Sequence, residues 1–257
     1  MGYFRLALSL IIMISHLVYR GNEWGGASLI LFYALSGYAI TARGTGGDFW
    51  RGRLMRLWPS YAAIAAMTQV ALWFGWVPGR PYIALAYSWA AVPQLLMIVP
   101  TWPEPALVPA AWMLKWILLG YVLVWLGASR TPQRSAVWLL ASLVASVWWM
   151  SRTQSYGHWY ISVLAASLAT SAGACAYHLG LSFPRDQRWA AIAGTLSYPV
   201  FLAHYGVGAA VAGAMEWGVG WPLFWASLTP TLALSWVLVV LVEQPVLQYR
   251  TRETHRN

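Results

Sequence analysis

Long apolar runs alternate along the chain with short segments that carry arginines. With a window of about 20 residues, the length that a helix needs to cross a bilayer, the apolar runs cover 3–19, 26–42, 56–77, 107–127, 136–150, 157–179, 189–213 and 219–242. Several runs are short enough to require tilting of the helix or thinning of the membrane. The pattern predicts an all-α polytopic membrane protein with about eight transmembrane helices. We expect residues 1–257 to form a single integral-membrane domain.

The arginines predict how these helices are oriented, because positively charged loops stay on the cytosolic side. With a cytosolic N-terminus, the inner loops and the tail hold Arg43, Arg51, Arg53, Arg56, Arg130, Arg134, Arg185, Arg188, Arg250, Arg252 and Arg256, and the outer loops hold Arg20, Arg80 and Arg152. A further apolar segment, 82–100, contains Pro93. Counting it as a span would move the later arginine clusters outside. We therefore expect an outer re-entrant or interfacial segment there, with the N-terminus and the C-terminus both cytosolic.

Composition favours a membrane protein and excludes several other classes. Charged residues make up 9% of the chain and hydrophobic residues 60%, whereas soluble domains have about 25% charged residues. The net charge of +9 would suit nucleic acid, but no basic domain outside the membrane could bind it. Membrane lipids are the expected surroundings. Cys175 is the only cysteine, which excludes disulfides and cysteine-ligated metals, and no grouping of His, Asp or Glu has metal-site spacing.

The first apolar run contains an unusual pair of residues. His16 lies eleven positions after Arg5, which is about three helical turns, so both side chains share one face and lie about 16 Å apart. Charged and titratable residues are costly in hydrocarbon and therefore indicate a functional site. The structural alternative is an arginine that reaches the membrane surface and a histidine hydrogen-bonded to a neighbouring helix.

A group of arginines follows the second apolar run. Arg51, Arg53 and Arg56 precede Pro59 and Tyr61. Arg53 and Arg56 share a face if a helix begins here. Guanidinium groups present planar sets of donors that suit phosphate. The alternative is that these arginines bind no ligand and only hold their loop on the cytosolic side, as the positive-inside rule predicts.

Five segments, in their order along the chain, resemble the motifs of one enzyme family. They are Arg5 with His16; the segment 32–41; Phe49 with Arg53, Arg56, Pro59 and Tyr61; Ser197 and Tyr198 with Leu202 and His204; and Glu243 with Pro245. Each segment is short, but together they extend across nearly the whole chain. In this order they are similar to the motifs of the membrane acyltransferase-3 family.

The resemblance implies a multi-pass O-acetyltransferase of the bacterial cytoplasmic (inner) membrane. Such an enzyme transfers an acyl group, usually acetyl, from cytosolic acyl-CoA to a hydroxyl of a cell-surface glycan or of its lipid-linked precursor. Carried over by position, His16 and Arg5 are the catalytic pair, and Arg53 and Arg56 are functional cytosolic arginines. Together with Arg51, these arginines are expected to bind the phosphates of acetyl-CoA at the inner face.

The chemistry of acyl transfer suits these residues. A base must accept the proton of the acceptor hydroxyl, and a neutral imidazole is the usual choice near neutral pH. His16 is the candidate base, and an acyl group carried on His16 is an open alternative. Further candidates for substrate contact are Glu23, Trp112 and His204. Each also has a structural alternative. Glu23 could be a solvated acid in a loop, Trp112 could pack in the protein or lie at the membrane interface, and His204 could pack between helices.

The sequence departs from the family pattern at two positions, and two other functions stay open. Ile117 and Ile30 stand where the family usually has acidic residues. A transporter or flippase of a lipid-linked or anionic substrate could use Arg5 and His16 to line a polar path. That function predicts repeat symmetry and helices broken at mid-membrane. A non-catalytic member of the fold is the second alternative, since the missing acids could abolish activity.

Overall fold

The computed structural model describes residues 1–19, 23–46, 48–77, 87–89, 92, 106–153, 161–182, 188–246 and 248. All regular secondary structure within these ranges is helical. The α-helices are α1 (Gly2–Leu17), α2 (Glu23–Arg43), α3 (Phe49–Trp73), α4 (Leu114–Trp125), α5 (Pro132–Thr153), α6 (Val163–His178), α7 (Arg188–Met215) and α8 (Trp221–Leu238). A 3-10 helix (Pro109–Met113) precedes α4, and a π-helix (Val239–Glu243) follows α8.

Each predicted apolar run corresponds to one of these α-helices, so the all-α prediction is confirmed for the described residues. Among them, the helical segments Glu23–Arg43 and Trp221–Val246 are long and apolar enough to cross a membrane. Their length and composition suggest a membrane protein. The number of spans stays a prediction. The predicted re-entrant segment 82–100 lies almost wholly outside the described residues, as do several of the arginines used for the orientation.

The packing of the chain divides it into two compact units. The first unit comprises Met1–Asn22, Trp50–Trp112 and Asp186–Asn257, and the second comprises Glu23–Phe49 and Met113–Arg185. The first unit therefore contains α1, nearly all of α3, α7, α8 and the π-helix. The second contains α2, α4, α5 and α6. The expectation of a single domain stays a prediction.

In the first unit, α1 and α7 keep one register along their length. The pairs that meet are Gly2 with Ala190, Ser9 with Ser197, and His16 with His204. In each pair the second residue lies 188 positions after the first, and successive pairs are seven residues apart. Seven residues make nearly two helical turns, so the helices run parallel and meet along one stripe, as in a coiled coil.

The other helices of the first unit have directions that follow from their contacts with α1 and α7. Tyr198 donates its hydroxyl proton to the carbonyl of Leu57 at 2.9 Å, and Thr68 lies beside Gly206 farther along both helices. The order of these contacts makes α3 parallel to α7. The chain enters α8 where α1 ends, since the amide of Gly220 donates to the carbonyl of Leu17 at 2.8 Å. As a result, α8 runs antiparallel to α1.

The second unit packs three helices against α6 through small and hydroxyl-bearing residues. A methyl group at Gly173 would overlap the backbone of Ala34 in α2, so the two helices approach closely there, as small residues allow. On another side of α6, Ser167 accepts a hydrogen bond from the indole of Trp138 at 2.9 Å. From α4, the indole of Trp116 donates to the carbonyl of Ile161 at 3.0 Å.

In α5 the polar and apolar faces are reversed relative to a helix of a soluble protein. The buried face carries the serines Ser135, Ser142 and Ser146. The exposed face carries the large apolar residues Val137, Leu140, Val144, Val147 and Trp148. A soluble protein rarely exposes a continuous stripe of this kind, because each apolar side chain is stabilised by leaving water.

Candidate active site

The register of α1 and α7 brings two histidines together. The ring centroids of His16 and His204 are 5.4 Å apart, with an angle of 25° between the ring planes. Tyr205 packs edge-on against His16, with ring centroids 5.8 Å apart. His16 is partly exposed and His204 is fully buried. Of the sequence-predicted site residues, His16 and His204 are the two that the structure places in ring contact.

The hydrogen bond of His204 indicates which of its nitrogens carries the proton. Its Nδ1 lies 2.7 Å from the carbonyl oxygen of Phe201. Because a carbonyl only accepts, Nδ1 is the donor, and Nε2 of the neutral ring is left as an acceptor. Nε2 is buried and has no hydrogen-bond partner among the described residues. Leaving such a group without a partner costs about 1–3 kcal/mol, so this nitrogen is suited to a donor from a bound molecule.

Arg5 shares α1 with His16 but is not its neighbour. It lies one turn before Ser9, whose hydroxyl bonds the carbonyl of Arg5 at 3.2 Å and that of Ser197 at 2.7 Å. Along the helix Arg5 and His16 are about 16 Å apart. Arg5 and His16 therefore lie on the same helix, about three turns apart.

The predicted arginine group occupies the first turns of α3. Arg51 is exposed, Arg53 is buried at 8% exposure, and Arg56 is intermediate. Arg56 interacts electrostatically with the carboxylate of Glu243, and this carboxylate accepts a hydrogen bond from Ser60 at 2.9 Å. The π-helix presents Glu243 to α3, and π-helical turns are frequent at functional sites.

The two groups of residues lie at different depths of the first unit. Arg53 precedes Leu57 by one turn, as Arg5 precedes Ser9. Leu57 and Ser9 contact the adjacent residues Tyr198 and Ser197 of α7, so Arg5 and Arg53 lie at one level. His16 is about two turns beyond Ser9 along the parallel helices. The first unit thus has an arginine-bearing end and, deeper along α7, a histidine pair.

The remaining candidates lie on other elements of the chain. Glu23 is the exposed first residue of α2, where an acidic side chain is favoured by the helix dipole. It begins a helix rather than lying in a loop, and it belongs to the second unit. Trp112 is half-buried in the 3-10 helix. Ile30 lies in α2 and Ile117 in α4.

Sequence reasoning missed the contacts that build the site. It did not pair Ser9 with Ser197, Ser60 with Glu243, or His16 with His204. A usable signal was present, because Ser9 and Ser197 each lie seven residues before one of the two histidines. Polar residues repeated at seven-residue spacing on two apolar helices predict a shared polar interface.

Comparisons of the chain with protein-family models, with curated proteins and with solved structures found no match. The resemblance to membrane acyltransferases therefore rests on the short motifs alone. Among the described residues, no group of three His, Cys, Asp or Glu residues could hold a metal ion.

Proposed function

We propose that the protein is a multi-pass membrane O-acyltransferase. It transfers an acyl group, most simply acetyl, from cytosolic acyl-CoA to a hydroxyl of a cell-surface glycan or of its lipid-linked precursor. The observation that carries this proposal is the ring contact of His16 with the buried His204. That contact lies in a unit whose other end holds arginines.

Several features support a membrane location, and the family resemblance assigns the protein to the bacterial cytoplasmic membrane. The reversed faces of α5 suit a helix surrounded by lipid. In a chain that crosses a membrane at every helix, odd-numbered helices are parallel, and α1, α3 and α7 are parallel while α8 is antiparallel to α1. This alternation is compatible with about eight spans that leave both termini on the same side of the membrane.

The donor's phosphates are assigned to the arginine-bearing end. Arg51 and Arg53 stand in the first turns of α3, where guanidinium groups and the helix N-terminus both favour phosphate. Glu243 offsets part of the charge of Arg56. Arg5 lies at the same level on α1. The thioester arm then extends along α1 and α7 toward the histidines.

His16 acts as the base at the end of this path. Its ring accepts the proton of the acceptor hydroxyl as the oxygen attacks the thioester carbonyl carbon. The carbon–oxygen bond forms, the carbon–sulfur bond breaks, and the departing thiolate of CoA takes up the proton. Nε2 of His204 accepts a hydrogen bond from a second hydroxyl of the sugar. An acyl group carried on His16 is the alternative route, and its trapping as an acyl-imidazole distinguishes the two.

Transport is the competing proposal, and the helices favour transfer over it. Transporter sites are typically built on helices that are broken near the membrane midplane. Helix α7 continues through Pro199 and α3 continues through Pro59. Both remain single helices at the level of the site.

The test is acetylation of surface glycans in cells that carry the wild type, His16→Ala or Arg53→Ala at matched membrane levels. We expect loss of ester-linked acetate in both variants. Arg152→Ala removes an exposed arginine at the end of α5 and should leave acetylation intact. Unchanged acetylation in His16→Ala and Arg53→Ala would contradict the catalytic assignment. If wild type adds no acetyl to any surface glycan, transport becomes the better proposal.

A further inference from the structure

Two arginines, Arg130 and Arg134, lie close together where the second unit passes from α4 to α5. A methyl group at Gly127 would lie 3.0 Å from Nε of Arg130 and 3.2 Å from Nη1 of Arg134, so both guanidinium groups lie against the same point of the backbone. The turn uses Gly127 at φ +97°, a conformation that favours glycine, and the amide of Arg130 donates to the carbonyl of Gly127 at 3.3 Å. Both side chains are exposed, so this arginine pair is accessible to a ligand.

The charge of the arginine pair is not balanced within the second unit. By sequence this unit contains two acids, Glu23 and Asp48. Neither Arg130 nor Arg134 forms an ion pair with another of the described residues. Two like charges held close together repel each other, and one phosphate group that accepts hydrogen bonds from both guanidinium groups would relieve this repulsion. The arginine pair therefore suits an anion with several oxygen acceptors.

An exposed apolar stripe begins beside the arginine pair and continues along α5. Arg134, Val137, Val144 and Trp148 are successively three, seven and four residues apart, which places them on one face of the helix. The three apolar side chains are 68%, 61% and 58% exposed. From Arg134 to Val144 the helix rises about 15 Å, which is about half the thickness of the hydrocarbon core of a bilayer. A chain that starts at the arginine pair and follows the stripe thus spans about one leaflet.

The opposite end of α5 is built differently. Arg152 lies there, and its guanidinium group is 5.9 Å from the centre of the Trp148 ring, in a cation–π contact. In the orientation predicted from the sequence, Arg152 is outside and the arginine pair is on the cytosolic side. The cytosolic leaflet has a negative surface potential because of its anionic lipids. The arginine pair is therefore expected on the side where anionic headgroups are present.

We infer that the second unit binds one anionic phospholipid on α5. The phosphate of the lipid accepts hydrogen bonds from Arg130 and Arg134, and one acyl chain lies along the apolar stripe. The stripe favours a lipid over a free anion, because only a lipid also covers the exposed apolar side chains. This inference does not rest on acyl transfer, and it assigns a ligand to the unit to which the proposed function gives none.

The experiment is native mass spectrometry of the purified full-length protein in a neutral detergent, with phosphatidylglycerol or phosphatidylcholine of identical acyl chains. Each basic residue near anionic lipid strengthens binding about fivefold, so wild type should bind phosphatidylglycerol about tenfold or more tightly than phosphatidylcholine. Arg130→Gln combined with Arg134→Gln should reduce this preference to about threefold or less, and Arg134→Gln alone should lower it about fivefold. Arg152→Gln combined with Arg188→Gln removes the same charge from two other exposed positions and should keep the wild-type preference.

Glycerol 3-phosphate separates a lipid site from a site for free anions, because it has the phosphate but no acyl chain. It should not bind at concentrations at which phosphatidylglycerol saturates the protein. The inference is overturned if wild type does not distinguish the two lipids, or if the variants of the arginine pair keep the wild-type preference. It is also overturned if glycerol 3-phosphate binds as tightly as phosphatidylglycerol. Equal melting temperatures of the two double variants in the same detergent show that a lost preference does not come from unfolding.

Discussion

Each of the two units contains a histidine that is hydrogen-bonded to a backbone carbonyl, but the two hydrogen bonds connect different parts of their units. In the first unit, His204 bonds the carbonyl of Phe201 on its own helix and stacks on His16 of another helix. In the second, Nε2 of His178 lies 3.0 Å from the carbonyl of Ser129, which follows α4. The bond of His178 ties the end of α6 to a neighbouring connection. The bond of His204 fixes a ring whose other nitrogen, Nε2, is buried and has no hydrogen-bond partner among the described residues.

The same contrast extends to what holds each unit together. The second unit relies on close backbone approach at Gly37 and Gly173 and on the bond of Trp138 to Ser167. The first also has a close backbone approach, at Gly2 against Ala190, but in addition it places a pair of histidines and an acid–arginine contact along its interfaces. Polar groups in a membrane are costly and tend to mark function. We therefore assign chemistry to the first unit and structural support to the second.

The largest difference between the two units should appear when one histidine is replaced in each. His16→Ala removes the proposed base and should lower kcat by about 10²-fold to 10⁴-fold, the usual contribution of such a group. His178→Ala is the matched change in the second unit and should leave kcat within about threefold, since it removes only a structural hydrogen bond. Rates of transfer from acetyl-CoA by purified protein measure both. Equal losses in the two variants would remove the distinction between the units.

A methyl group added to a glycine should be costly where it meets the backbone of a neighbouring helix and cheap where it meets a flexible side chain. Gly173→Ala forces a Cβ against the backbone of Ala34 and should cost about 3 kcal/mol of unfolding free energy. Gly208→Ala is the matched change in the first unit. There the new Cβ meets the end of the flexible Leu17 side chain, so the cost should stay below about 1 kcal/mol. Reversible unfolding in detergent compares them, and similar costs would argue against close backbone packing at Gly173.

Substitution of His204 tests whether its free nitrogen contacts the acceptor. His204→Phe keeps a ring beside His16 but removes Nε2, so kcat/KM for the acceptor should fall about tenfold, the value of one lost hydrogen bond. The KM for acetyl-CoA should not change, because the proposed donor site is formed by the arginines. If His204→Phe matches wild type for the acceptor, His204 is a packing residue.

The smallest effect should come from a single interhelical hydrogen bond of the second unit. Trp138→Phe removes the bond to Ser167 and should destabilise the protein by about 0.6 kcal/mol, the average for such bonds between membrane helices. Acyl transfer should stay at the wild-type rate. A loss of activity without loss of stability would show that the second unit also contributes to the site.

Hydrophobic patterning predicted the helices well, because each apolar run is long enough to form one. The predicted ends of the apolar runs differ from the observed ends of the α-helices where the type of helix changes. The run 107–127 begins with a 3-10 helix at Pro109, and the run that ends near 242 closes with a π-helix. Such changes of helix type depend on packing and on the loss of an amide donor at proline, which periodicity does not report.

The site was only partly predictable for a similar reason. The cost of polar residues in hydrocarbon singled out His16 and Arg5 from the sequence, but cost does not identify a partner. The partner of His16 follows from the register of α1 and α7, which is set by contacts such as Ser9 with Ser197. The contact of Glu243 with Ser60 joins segments 183 residues apart. Contacts at this separation emerge only when the helices are packed.

The most direct test of the account is transfer of radiolabelled acetyl from acetyl-CoA in membranes that contain the protein and a surface glycan. The account predicts ester-linked label on the glycan that mild alkali releases, present with wild type and absent with His16→Ala at equal protein levels. Label that appears equally with His16→Ala, or a wild-type membrane that forms no ester above membranes lacking the protein, would contradict it.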